Sequence, residues 1–275
     1  MMRYIKLVNF EINRFSKIYL SLLLITLVSQ FAGVIIVTKS LLNDARDIMK
    51  EERLSEAAYI TNYGGIDFNH IANSLLFVGP IALSAVALIF YIFLIWYRDW
   101  FGKNTFIYRL LMLPTSRLSI YLSKATAIFL MVLGMIAFQI IILPMENALF
   151  NSNVPEALLS EMSISTITIA NPILSLIIPS TFTQFLISYG IGLMIMSILF
   201  TAIMFERSFR IKGFIMGLLY CGIAAVLFLA PVLMEIGNFY FYPNELFGLM
   251  LAIGIILTGL SVWLGAWLLK NRVTV

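Results

Sequence analysis

The side chains of this sequence best suited to binding a charged partner gather between Tyr97 and Lys124, in YRDWFGKNTFIYRLLMLPTSRLSIYLSK. Arg98, Lys103, Arg109, Arg117 and Lys124 stand there against a single acid, Asp99. Such a stretch invites a phosphate-binding reading, which the spacing rejects. A phosphate loop needs G-x-x-x-x-G-K-[ST], and the GKNT at Gly102 has Tyr97 where the first glycine belongs. The chain is therefore expected to hydrolyse no nucleotide itself. Metal chemistry has no better basis, because no H-E-x-x-H or comparable ligand cluster occurs. The lone His70, beside Asn69, reads as an interfacial residue, and the lone Cys221 reads as packing in an apolar run. No catalytic, cofactor-binding or metal-binding residue is expected.

The elements that position these cations are mostly apolar. Of 275 residues, 61% are hydrophobic and 12% charged, and mean hydropathy is +0.98. A soluble domain carries about 25% charged residues, so the expected fold class is an all-α polytopic membrane protein. Crossing about 30 Å of hydrocarbon takes about 20 apolar residues in a helix. Six stretches qualify: about 18–38, 73–97, 120–143, 182–204, 213–234 and 246–269. Residues 1–17 place Ile5, Val8, Ile12 and Phe15 on one helical stripe, with Arg3, Lys6, Asn13, Arg14 and Lys17 largely opposite. They predict an amphipathic interfacial helix on the inner membrane surface, where basic side chains meet anionic lipid. No A-x-A cleavage site follows Thr38, so the first apolar run is expected to stay as an anchor.

Two outer loops remain, 39–72 and 144–181. The first begins charged and helix-favouring and ends in the turn-like TNYGGIDFNH. The second contains ISTITIANPILSLIIPS, broken by Pro172 and Pro179, which enters the outer leaflet only if its backbone is buried in protein. The whole chain, 1–275, reads as one transmembrane domain.

Orientation follows from the basic residues. Arg3, Lys6, Arg14, Lys17, the five of the opening stretch, Arg207, Arg210, Lys212, Lys270 and Arg272 make 14 of the 18, all on one predicted side. Both termini are thus expected in the cytoplasm. Lys39, Arg46, Lys50 and Arg53 lie outside among acids, and Trp96, Trp100, Trp263 and Trp267 all fall at predicted cytoplasmic ends. No ionisable residue lies near the centre of a span, which disfavours an ion-coupled carrier. Gln139 and Gln184 read as helix-packing groups, and Gly213 with Gly217 forms a GxxxG that permits close helix approach.

Within residues 98–119 the predicted local structure is an elbow. The second span ends in Trp96, Tyr97, Trp100 and Phe101, Gly102 permits a turn, and Thr105 is an N-cap candidate. Phe106, Ile107, Leu110 and Leu111 form the apolar side of a short helix that leaves Arg109 exposed. Pro114 ends it, and Thr115 or Ser116 caps the next helix. This layout resembles the permease subunit of type-2 ATP-binding-cassette (ABC) exporters. In that family a Gly-Thr pair, a Leu-rich turn, Pro, Ser-Arg and a later Lys follow the second span. The matching residues here are Gly102 with Thr105, Leu110 to Leu113, Pro114, Ser116 with Arg117, and Lys124. Asp99 stands for the family's acid before the glycine, while Lys103 and Asn104 separate Gly102 from Thr105.

The resemblance implies that the elbow is a coupling helix docking into a groove on a separate cytoplasmic ATPase, with Arg109 and Arg117 at the rim. It also implies a connecting helix at the N-terminus and a second permease subunit, identical or paralogous. ATP and Mg would belong to the ATPase, and membrane lipids, not nucleic acid, would be the other partners. The expected location is a bacterial plasma membrane, and amphipathic peptides, antibiotics or lipid-like molecules fit the apolar spans as substrates. The alternative reading is a membrane sensor or immunity module whose outer loops bind a peptide or antibiotic.

Overall fold

In a computed structural model of the chain, the structure describes residues 2–101, 107, 110, 112, 116–237 and 240–272. The elements are α1 (Met2–Glu51), α2 (Glu56–Tyr63), α3 (Asn69–Ala72), α4 (Leu75–Trp100), α5 (Arg117–Asn153), α6 (Ile164–Ala170), α7 (Pro172–Ile177), α8 (Phe182–Ile236) and α9 (Pro243–Asn271). Among the described residues the strand-like pairing is an isolated bridge between Ile66 and Leu159. Five helices, α1, α4, α5, α8 and α9, are long and apolar enough to cross a membrane. They leave side chains such as Leu24, Phe90, Leu218 and Ile255 exposed. Apolar surface on that scale suits lipid, not water. The chain is a helical, multi-pass membrane protein.

Several expected boundaries shift. The 1–17 interfacial helix, the 18–38 span and the start of the 39–72 loop form one uninterrupted helix, α1. Residues 2–51 contain no proline and one glycine, so nothing local stops the helix. Its buried stripe runs through Val8, Glu11, Phe15, Leu22, Thr26, Gln30, Val34, Thr38 and Ala45. Ile5, expected on the apolar stripe, is 62% exposed. α5 continues through Pro144 to Asn153, past the expected end at residue 143. In a membrane helix, neighbouring groups satisfy the backbone that a proline frees.

The 182–204 and 213–234 stretches fall in one helical run, α8, broken at Arg210, where φ is 54° and ψ −126°. A methyl group on Gly213 would overlap the Phe205 carbonyl, and one on Gly217 would lie 2.8 Å from the Ala202 carbonyl oxygen. In a straight helix residues 202 and 217 would stand about 22 Å apart. The chain therefore doubles back at Arg210, and two glycines let the arms of this hairpin touch.

The chain divides into two compact units. The first comprises Met1–Arg14, Leu88–Leu130 and Thr183–Val275. At its centre Trp96 and Tyr121 each meet Phe200 edge-to-face at 5.4 Å. The Tyr121 hydroxyl donates to the Ser197 carbonyl at 3.0 Å. Gly265 makes room for this ring, since a Cβ there would come within 2.7 Å of it.

The second unit comprises Phe15–Ala87 and Met131–Phe182. Phe68 sets its edge against Phe77 and Phe150 within an apolar core that includes Val34, Ile71 and Leu143. Gln30 donates to Gln139 at 3.2 Å, tying α1 to α5. ISTITIANPILSLIIPS becomes α6 and α7. Asn171 caps α7 by accepting from the Ile173 and Leu174 N–H groups, and it donates to the Ala72 carbonyl at 3.0 Å. An Asn N-cap followed by Pro at the first helical position is a strong start signal. Gly64, at φ +84°, ends α2, a conformation glycine adopts without strain.

Candidate functional site

A charge taken out of water must be paired and hydrogen-bonded to be tolerated. In the first unit five charges meet that condition together. Lys124, on the opening turns of α5, is fully buried. Its ammonium donates to Glu11 Oε1 at 2.6 Å, to Asp99 Oδ2 at 2.5 Å and to the Ile95 carbonyl at 3.0 Å. An ammonium has three donors, and all three are used. Arg14 donates to Asp99 Oδ1 at 2.6 Å, and Arg98 to Glu11 Oε2 at 3.2 Å. Tyr91 donates to the Glu11 carbonyl at 3.3 Å and accepts from Arg98 at 3.3 Å.

The local sequence arranges this cluster simply. Glu11 and Arg14 lie one turn apart on α1. Tyr91, Ile95, Arg98 and Asp99 share one face of α4 by their i, i+4, i+7, i+8 spacing. Lys124 completes it from α5. Trp96 walls the ammonium, its ring centre 5.2 Å away. Lys124, Glu11 and Asp99 are buried at the cluster's centre, and the partly exposed Arg14 and Arg98 flank them, so each charge already has a partner. The cluster therefore clamps the N-terminal part of α1, the end of α4 and the start of α5, which are the two flanks of the basic segment and the helix beside it.

The other predicted site residues divide as follows. Gly102, Thr105, Phe106, Arg109, Leu111 and Pro114 lie outside the described residues. Ile107 and Leu110 are helical and buried against Ile120, with Leu7 and Trp100 packed alongside. Expected to fill a partner's groove, these two side chains instead fill the protein's own interior, because α1 offers apolar Leu7 at that place. Met112 is 72% exposed and Phe101 68%. Ser116 caps α5, accepting from the Ser119 N–H at 3.2 Å. Arg117, expected at a partner's rim, donates to the Leu269 carbonyl and, at 3.3 Å, to that of Lys270. A cation there complements the negative end of α9.

Sequence reasoning missed Glu11 as a partner, although a signal existed. Glu11 is the only acid before Asp44 and sits among four cations. Lys124 falls just inside an apolar run, where a charge needs a partner. Among the described residues no group of three or more His, Cys, Asp or Glu could hold a metal ion. No protein-family model matches this chain, and neither does any curated protein or solved structure.

Proposed function

We propose that the chain is the non-catalytic, membrane-spanning subunit of an ATP-driven exporter of the type-2 ABC kind. The observation that carries this reading is the buried clamp. A push on the segment between α4 and α5 would reach α1, α4 and α5 as one rigid end, because Lys124, carried by α5, bonds to both α1 and α4. Six crossings follow if both arms of the α8 hairpin span the membrane. Two such subunits, identical or paralogous, would pair above cytoplasmic ATPases that hold ATP and Mg, in a bacterial plasma membrane. The exported molecule would be amphipathic or lipid-like.

Burial of Ile107 and Leu110 moves the proposed docking face to Met112 and Phe101. Met112→Asp is expected to weaken capture of a co-purifying ATPase by roughly thirtyfold, the size of one lost interface anchor of about 2 kcal/mol. Insertion should be unchanged, since Met112 is exposed. Unaltered ATPase capture and unaltered transport in Met112→Asp would remove the coupling reading.

Topology is tested separately, in a background with Cys221 replaced. Ser152→Cys should react with an impermeant thiol reagent on intact cells, and Arg210→Cys should react only after lysis. The reverse pattern would invert the assignment. A sensor or immunity module is the second reading. It draws support from the capped helices α2, α6 and α7, which share an apolar core with α3 in the second unit.

A further inference from the structure

Beside the end of α4, the turn at Arg210 opens a cleft of about 480 Å3 lined by Trp100, Glu206, Arg207, Arg210, Ile211 and Phe214. Arg207 is caged by aromatic rings, its guanidinium carbon 4.6 Å from the centre of Tyr97, 5.2 Å from Phe101 and 5.6 Å from Trp100. Glu206, the one acid on the wall, is engaged by the Tyr97 hydroxyl and lies 3.8 Å from Arg207. Two donors, Trp100 Nε1 and Arg207 Nε, are shielded from solvent yet meet no acceptor. Buried donors are ordinarily satisfied, so each orphan asks for an explanation.

Arg210 supplies a second sign. It is exposed, and no ion pair among the described residues takes up its charge. Its positive φ is uncommon outside glycine, and such strain gathers at binding sites. Lys212 follows two residues later. The cleft thus offers unmet N–H donors and an unpaired cation, with its acid already engaged. Around it Ile211 is 82% exposed, Phe101 68% and Phe214 59%.

We propose that this cleft binds the phosphate of an anionic phospholipid of the cytoplasmic leaflet. Arg210, Arg207 and Trp100 Nε1 would hold the phosphate, and Ile211 and Phe214 would lie against the acyl chains. A free phosphate shares the headgroup chemistry but makes no use of the apolar rim, which is why the lipid is preferred. The site stands whether or not the chain exports anything.

The test is lipid retention by the purified full-length protein, read by native mass spectrometry from mixed micelles of phosphatidylglycerol or phosphatidylcholine. The wild type should keep phosphatidylglycerol in preference. Arg210→Gln should lower that preference roughly tenfold, the size of one lost hydrogen bond to a charged group. Arg210→Lys should retain most of it, and Lys39→Gln, at an exposed cation of α1 expected on the outer side, should change nothing. The melting temperature of Arg210→Gln in phosphatidylcholine should match the wild type, which separates lost binding from lost folding. Equal retention of both lipids by the wild type would overturn the site, and so would equal losses in Arg210→Gln and Lys39→Gln. Displacement of phosphatidylglycerol by millimolar inorganic phosphate would make free phosphate the occupant and overturn the lipid assignment.

Discussion

Lys124→Met is expected to destabilise the protein by about 3–5 kcal/mol, the usual cost of removing one member of a buried ion pair. The thioether is about the right length but leaves Glu11 Oε1, Asp99 Oδ2 and the Ile95 carbonyl without their donor. Each carboxylate keeps at least one arginine, so the cluster is not dismantled; it becomes a pair of under-satisfied charges in a buried place. Thermal unfolding in detergent should show the loss, with less folded protein recovered from the membrane. Lys124→Met combined with Asp99→Asn should cost less than the sum of the single changes, because removing both partners spares the second desolvated charge. A Lys124→Met protein that melts with the wild type would mean that the cluster clamps nothing. The proposed route from elbow to spans would then lose its basis.

Gly213→Ala should be the most damaging of three glycine substitutions along α8. Its new methyl group would overlap the Phe205 carbonyl, and that obstacle is backbone, which has no rotamer to escape through. Overpacking typically costs about 1–3 kcal/mol, and the hairpin arms must part for the change to fit. Gly217→Ala, with its methyl 2.8 Å from the Ala202 carbonyl oxygen, should be milder. Gly222→Ala meets nothing within 4 Å and should be neutral, or slightly favourable through helix propensity. Melting temperatures of the three variants should fall in that order. If Gly213→Ala and Gly222→Ala behaved alike, the arms would not be in contact at this place.

The amino-acid order by itself determined what depends on near neighbours. Long apolar runs require helices in lipid, because an unpaired backbone group there has no water to turn to. Ser116 as the cap of α5, the Asn171-Pro172 start of α7 and the Gly64 end of α2 are likewise local, resting on hydrogen bonds that span two to four residues. The tight GxxxG at Gly213 and Gly217 was visible as spacing. Its partners, Phe205 and Ala202, were not, because only the reversal at Arg210 brings them near.

Tertiary structure decided the rest. Which face of an amphipathic helix is buried depends on what lies opposite, so Glu11 points inward, against the hydrophobic pattern alone. Ile107 and Leu110 turn into the protein for the same reason, since Ile120 and Leu7 supply a surface that the segment's own sequence does not describe. The buried clamp is the clearest case. Lys124 meets an acid 113 residues earlier and another 25 residues earlier. No local propensity encodes that meeting, because an ion pair has no sequence period and forms only where packed helices bring its members within reach.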